Sequence, residues 1–144
     1  MTEKKYRMLK HTSDAYLEAF GTTLPEVFSH ASKGMMAIIT DIRKVREETT
    51  IPVTSLTGYD INSLLYNWLE YILLSFEVDK LLLPYSNIEI LESKGQLAIN
   101  GTAIGERFDP LRHVIKRQIK GVTYHGMEIS SFRQGYRIRV LFDL

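Results

Sequence analysis

The chain contains no cysteine, and this absence excludes both disulfide bonds and zinc sites built on thiolates. It also lacks repeats, low-complexity tracts and any linker rich in Pro, Gly or Ser. We therefore expect a single domain spanning residues 1–144, a length that suits one hydrophobic core. The opening residues, MTEKKYRMLKH, contain no apolar stretch of the kind that a signal peptide needs, so a cytoplasmic location is expected.

An excess of charge of one sign is also missing, because 18 Lys and Arg residues face 17 Asp and Glu residues, for a net charge of +1. A protein that held RNA mainly by its phosphates would normally be more basic. A local concentration of positive charge lies between Arg107 and Lys120, where five basic residues and His113 accompany a single acid, Asp109. This stretch is either a solvated strand face or an electropositive contact surface, and the sequence leaves both open.

Two helices are indicated by apolar residues that recur every three or four positions. Residues 23–26 have the spacing of a capping box, which predicts a first helix that ends near Thr40. Asp60 is the predicted cap of a second helix, whose apolar face extends through Phe76. Polar residues interrupt this second apolar run, so it predicts a core helix and not a membrane span.

The other segments are expected to form strands, because polar and apolar side chains alternate with a period of two. Residues 46–54 predict a strand that either lies at an edge or ends at Pro52, since Pro52 cannot donate to a ladder. A hairpin turn is predicted at residues 93–95, residues 100–101 would form a second turn or a bulge, and residues 136–142 predict the last strand. These elements predict an α+β fold with two helices packed on a largely antiparallel β-sheet, as a two-layer sandwich.

Carboxylates near the two ends of the chain are the candidates for a metal site. Asp14 closes the segment His-Thr-Ser-Asp at residues 11–14, and Asp143 precedes Leu144. Taken alone, the first segment is typical of a capped turn and the second of a frayed end. If the two segments meet in space, Asp14, Asp143 and the Leu144 carboxylate supply only oxygen ligands. Such a set suits Ca²⁺ or Mg²⁺ better than zinc.

Two other clusters contain groups with acid–base chemistry. Glu106, Asp109 and His113 have the composition of a hydrolase site, but no nucleophile or glycine-rich loop accompanies them in the sequence. In Val-Thr-Tyr-His at residues 122–125, a buried Tyr124 and a hydrogen-bonded histidine are the expected arrangement. The eight tyrosines are spread along the chain and indicate no ladder for stacking nucleobases. We therefore expect no catalytic site, and a metal-dependent hydrolase built on Glu106, Asp109 and His113 stays open as a less favoured alternative.

In their order along the chain, these clusters resemble the archease family, and the resemblance covers essentially the whole sequence. The family opens with His-Thr-Ala-Asp, similar to residues 11–14 with Ser13 in place of alanine. The leucine pair and tryptophan of its second helix are similar to Leu64-Leu65 and Trp68. The other matching motifs are Gly105-Glu106, Asp109, Arg112-His113, Lys120, Thr123-Tyr124-His125 and Phe142-Asp143.

The resemblance implies a protein that catalyses no reaction itself and activates the RtcB-type RNA ligase, which seals tRNA halves after intron removal. Archease-like proteins promote guanylylation of that ligase and its multiple turnover, so tRNA would be involved only through the ligase, and no membrane would be involved. By the same resemblance Asp14, Asp143 and Leu144 would hold a divalent cation, with Ca²⁺ expected and Mg²⁺ or Mn²⁺ as alternatives. The residues expected to contact the partner are Lys120, Arg112 and His113. A metal-independent chaperone or an RNA-binding adaptor in tRNA processing is the alternative function.

Overall fold

The structure, a computed structural model of the chain, describes residues 5–9 and 14–144. Within these residues the chain forms seven strands, two long helices and one 3₁₀ turn. In chain order they are β1 (Tyr6–Leu9), β2 (Ala15–Gly21), α1 (Leu24–Ile39), the 3₁₀ turn (Ile42–Lys44), β3 (Thr49–Gly58), α2 (Ile61–Asp79), β4 (Leu81–Ser93), β5 (Gln96–Arg107), β6 (Gly121–Phe132) and β7 (Gly135–Asp143).

Both helices begin at the caps that the sequence predicts. The Thr23 side chain accepts a hydrogen bond of 3.2 Å from the backbone N–H of Glu26. The Glu26 carboxylate reaches back to the N–H of Thr22 at 2.8 Å, one residue earlier than in a standard capping box. At the start of α2 the box is complete, because Asp60 and Ser63 each accept from the other's backbone N–H. Four orphan donors at two helix ends are thus satisfied locally.

The second helix ends where the chain reverses into the three-stranded sheet. Lys80 adopts the left-handed conformation, with φ of 58°, and its N–H bonds back to the carbonyl of Phe76. The apolar residues 81–83 therefore belong to β4 and do not extend the helix. Among the described residues, no helix is long and apolar enough to cross a membrane.

The strands form two antiparallel sheets that both contact the helices. The four-stranded sheet has the order β1-β2-β7-β6, and the three-stranded sheet has the order β3-β5-β4. Helix α1 contacts β2 and β4, and α2 contacts β3 and β6, so each helix touches both sheets. The predicted α+β class is confirmed, with the antiparallel strands divided between two sheets. The core between the layers contains Trp68, whose ring N–H donates to the carbonyl of Phe28 at 3.1 Å.

The irregularities of the three-stranded sheet agree in part with the sequence. The hairpin at residues 93–95 is present, and Pro52 lies on an edge strand. Strand β5 continues through residues 100–101, so they form no turn. The bulge is in the facing strand, where residues 54–55 oppose Asn100 and the Ser55 N–H donates to the Asn100 side chain at 3.0 Å.

A buried carboxylate holds the four-stranded sheet in its register. Glu18 on β2 is fully buried, accepts from the guanidinium of Arg7 on β1, and accepts from Arg139 on β7 at 2.7 Å. Burial acts to raise the pKa of Glu18, but the hydrogen bonds from the two arginines outweigh it and lower the pKa. The three strands are therefore joined through one charge, and the start of β2 is fixed beside the end of β7.

Candidate functional site

The pairing of β2 with β7 brings the two predicted metal-binding segments to one edge of the sheet. Ala15 pairs with Phe142 and Tyr16 with Leu141 in an antiparallel ladder. One further step of the same register would set Asp14, which lies in a bend just before β2, opposite Asp143. Opposed residues of an antiparallel pair have Cα atoms about 4.5–5.5 Å apart. The fold thus places near each other two acids that are 129 positions apart in the chain, since 143 − 14 = 129.

The exposure of these residues follows the pleat of the strand. Phe142 is fully buried, so the next side chain, Asp143, points to the opposite face and is exposed. Asp14 is half-buried, and the side chain of Leu144 packs against the edge of the core. Residues 11–13 of the predicted opening motif lie outside the described residues.

Lys120 lies at the same edge because β6 begins beside the end of β7. Gly121 pairs with Asp143, and the backbone N–H of Lys120 donates to the carbonyl of Asp143 at 2.7 Å. The Lys120 side chain is exposed, and no carboxylate in the described part of the chain lies within 4.0 Å of its ammonium. Two acids and one lysine from three separate segments are therefore neighbours.

The donor set of this edge is small. In residues 5–9 and 14–144, no three side chains of the His, Asp or Glu type cluster closely enough to hold an ion. A cation here would have two aspartate side chains and would need further oxygen atoms from the main chain, water or a partner. The metal assignment of Asp14, Asp143 and Leu144 stays a prediction.

The cluster of Glu106 is a structural one. Its carboxylate, at the end of β5, accepts from the backbone N–H of Arg46 at 2.8 Å, from the ring of His113 at 2.9 Å and from the guanidinium of Arg112. Burial acts to raise the pKa of Glu106, yet the hydrogen bonds from these donors, Arg112 first, lower it to about 2. The group is therefore ionised at neutral pH, and its oxygens are occupied.

The tautomer of His113 follows from its two partners. Its Nδ1 accepts from the backbone N–H of Asp109 at 2.8 Å, so in the neutral ring the proton sits on Nε2, which donates to Glu106. The ring is fully buried, so any effect of His113 on a partner would be exerted through Glu106 and Arg112. The fold brings Glu106, Asp109 and His113 together, and the side chains of Glu106 and His113 are buried with their polar atoms bonded to other groups of the protein.

The basic stretch predicted between residues 107 and 120 is not a strand face. Residues 108–120, called here the 108–120 segment, have no helix or strand, and one isolated bridge joins Ile115 to Thr40. Arg107 is exposed at the end of β5, but the solvated-strand interpretation is wrong for residues 108–120, because that segment bonds to the end of α1 and not to a neighbouring strand. The N–H of Lys116 donates to the carbonyl of Ile39 at 2.7 Å, and the Thr40 hydroxyl donates to the carbonyl of Val114 at 2.8 Å.

The expectation of a buried Tyr124 is also wrong. Between two regular pairs of the β6–β7 ladder, residues 124–127 oppose a single residue of β7. This bulge turns Tyr124 outward, where it is 53% exposed and stacks on Tyr66 of α2, with ring centroids 4.4 Å apart. The Tyr16 hydroxyl donates to the carbonyl of Gly126 at 2.7 Å and supports the bulge. Alternation in the sequence contains no signal for an insertion of this size.

Comparisons with known proteins agree on one family. The family model described as the Archease protein family (MTH1598/TM1083) matches residues 6–144. The protein archease of Methanosarcina acetivorans is 39% identical over 142 residues, which cover 98% of this chain and 97% of that protein. The protein archease of Pyrococcus furiosus is 30% identical over 132 residues, covering 92% of each chain.

Two solved structures have the same fold. The solution structure of Methanobacterium thermoautotrophicum protein 1598 matches with a TM-score of 0.81 and 32% identity, covering 97% of this chain and 99% of that one. The crystal structure of a Thermotoga maritima archease, described as a possible chaperone, matches with a TM-score of 0.52, covering 100% and 98%. At 14% identity this second likeness concerns the fold alone. With the family model matched from residue 6 to residue 144, the chain belongs to the archease protein family.

Proposed function

We propose that this protein activates an RtcB-type RNA ligase by promoting its guanylylation, and that the working end is the edge formed by Asp14, Asp143 and Lys120. The observation that carries the proposal is the β2–β7 register, in which Ala15 pairs with Phe142, the residues adjacent to the two acids. Such an edge suits an activator because it is exposed at Asp143 and Lys120 and can meet a partner. Family membership and the motif resemblance support the choice of ligase.

The two aspartates fit a hard divalent cation. Neighbouring carboxylates repel each other unless a cation or a donor lies between them. Their oxygen atoms suit Ca²⁺, with Mg²⁺ or Mn²⁺ as alternatives, and the Leu144 carboxylate would add a third oxygen group. Two side chains leave the coordination shell incomplete, so positions stay open for water or for groups of the ligase and its nucleotide.

Each residue of the edge has a separate task in this proposal. A bound divalent cation supplies positive charge that can neutralise phosphate oxygens of a nucleotide. Asp14 and Asp143 hold and orient it, and the buried Phe142 fixes the backbone from which Asp143 projects. Lys120, bonded through its N–H to Asp143, offers a mobile ammonium to a phosphate or carboxylate of the partner.

The test is guanylylation of the ligase by GTP at limiting divalent metal, with and without this protein. Asp14→Asn and Asp143→Asn should each abolish the stimulation, because each removes charge from the site but keeps the side-chain shape. Glu89→Gln, an exposed carboxylate on β4, is the matched control and should stimulate like the wild type. Unchanged stimulation by either aspartate variant would refute the proposal.

A metal-independent chaperone role is the second candidate. The 108–120 segment exposes Leu111 and Val114, with 93% and 64% of their surfaces accessible, and exposed apolar side chains can bind unfolded chains. The same variants separate the two roles. A chaperone would protect the ligase from heat-induced aggregation equally well after Asp143→Asn, and its effect would not depend on chelators.

A further inference from the structure

A preformed groove adjoins the aspartate edge. It lies between the C-terminal ends of α1 and α2 and the 108–120 segment, and its volume is about 500 Å³. Ile39, Leu73 and Ile119 form an apolar floor, and all three are buried. Lys120 lines the end of the groove that is bonded to Asp143. Lys120 therefore belongs both to the edge of the proposed ion site and to the lining of the groove.

The walls of the groove are held by hydrogen bonds and ring contacts. The N–H of Phe108 donates to the carbonyl of Lys80 at 2.7 Å, and the Phe108 ring meets the Phe76 ring edge to face at 5.9 Å. The ion pair between Arg112 and Glu106 fixes the next turn of the 108–120 segment. A structureless segment of this length inside a compact domain is commonly functional, and a fixed one costs little ordering on binding.

The rim of the groove carries unneutralised positive charge. The Lys80 ammonium donates to the carbonyl of Glu77 at 3.1 Å and lies over the ring of Phe76. Lys120, the other cation among the lining residues, is exposed, and Lys116 and Arg117 of the same segment are exposed but do not line the groove. In the part of the chain that the structure describes, none of these four cations forms an ion pair within 4.0 Å. Glu77 is the one acid among the residues that line the groove.

We propose that this groove binds a segment of the ligase that carries aliphatic side chains and carboxylates. The inference rests on the proposed function, because it takes the ligase as the partner. The apolar floor and the half-exposed Ile115 favour a peptide, since nucleic-acid phosphates need cations but no apolar floor. The cationic rim then selects an acidic peptide by charge complementarity. Docking in the groove places the ligase directly beside Asp143.

Two variants test the groove without touching the aspartate edge. Lys80→Glu reverses a charge of the rim, and Ile115→Ser removes an exposed apolar contact. Lys94→Glu is the matched control for the first, because Lys94 is exposed in the distant hairpin and has nearly the same φ, 54° against 58°. Leu91→Ser is the control for the second, because Leu91 is 47% exposed and Ile115 is 40% exposed.

The measurements are the Kd for the ligase, by titration calorimetry, and the stimulation of guanylylation as a function of protein concentration. Each groove variant should raise the Kd about tenfold, while saturating concentrations restore full stimulation. The two controls should bind like the wild type. Raising the salt concentration should weaken wild-type binding more than binding of Lys80→Glu, since one attraction is already lost.

The outcomes separate the groove from the proposed function. Asp143→Asn should bind the ligase with nearly wild-type Kd and lose stimulation, which is the reverse of the groove variants. If Lys80→Glu and Ile115→Ser both bind the ligase like the wild type, the groove proposal is wrong, whatever Asp143→Asn does. If Lys80→Glu instead loses affinity for a single-stranded RNA oligonucleotide, with ligase binding unchanged, the groove binds RNA and the proposal is equally overturned.

Discussion

Replacing Glu106 with glutamine should destabilise the protein by an amount that its hydrogen bonds determine. The Oε2 atom accepts from the Arg46 N–H and from His113, and Oε1 accepts from Arg112. A glutamine amide has one oxygen and one NH₂ group. If its oxygen takes the Oε2 position, the NH₂ faces the guanidinium of Arg112, and two donors oppose each other. If the amide is flipped, its NH₂ group takes the Oε2 position, and the hydrogen bonds from the Arg46 N–H and from His113 are lost.

At least one charge-assisted hydrogen bond therefore disappears in either orientation. Such bonds contribute about 1.5–3 kcal/mol, so the free energy of unfolding should fall by that amount in Glu106→Gln. For a domain of this length, about 4 °C of melting temperature corresponds to 1 kcal/mol, which gives an expected loss of about 6–12 °C. Glu89→Gln, on the exposed side of β4, should change stability by less than about 0.5 kcal/mol.

Urea unfolding at several pH values is the assay. Because the pKa of Glu106 is lowered to about 2 in the folded protein, its contribution is complete above the unfolded value of 4.5. That contribution is lost as the pH falls through about 2, so the gap between wild type and Glu106→Gln should narrow in acid. A variant as stable as the wild type at pH 7, or a gap that widens in acid, would refute the assignment of Glu106 as the anchor of the 108–120 segment.

Three further changes test other parts of the fold. Trp68→Phe removes the ring N–H that donates to the carbonyl of Phe28 and leaves empty space in a fully buried site, so chemical unfolding should show a loss of about 2–4 kcal/mol. Gly101→Ala should lower the free energy of unfolding by more than about 1 kcal/mol, measured as a fall in melting temperature, because φ is 152° there and a Cβ atom would collide with the carbonyl of Asn87. Glu18→Gln should lower the free energy of unfolding by about 3 kcal/mol, because it leaves two arginine side chains facing a neutral group. A urea midpoint equal to that of the wild type would contradict the role given to Glu18.

Local features of the fold are predictable from the sequence because their causes lie within a few residues. The caps at Thr23 and Asp60 satisfy donors in the first turn of their own helices. The hairpin at residues 93–95 needs two positive φ values, which Lys94 and Gly95 supply. Pro52 predicts an edge strand because it has no N–H to donate. Each of these signals can be read from neighbouring residues without knowing the tertiary structure.

Features that depend on distant partners are not predictable in this way. The division of the strands into two sheets follows from how both helices contact them, which no period in the sequence encodes. Tyr124 is turned outward by a bulge and stacks on Tyr66, which belongs to another element. The 108–120 segment is fixed by Ile39 and Glu106, so its basic composition alone indicated neither its shape nor its groove. The meeting of Asp14 with Asp143 likewise depends on register across the sheet.

Calcium titration by calorimetry tests most directly whether Asp14 and Asp143 hold one ion together. The wild type should bind the ion, and Asp14→Asn and Asp143→Asn should each weaken binding by at least about tenfold, or about 1.4 kcal/mol. Because both side chains would serve the same ion, the double variant should lose little more than the worse single one. Binding that is unchanged in either single variant would contradict a shared site at this edge of the sheet.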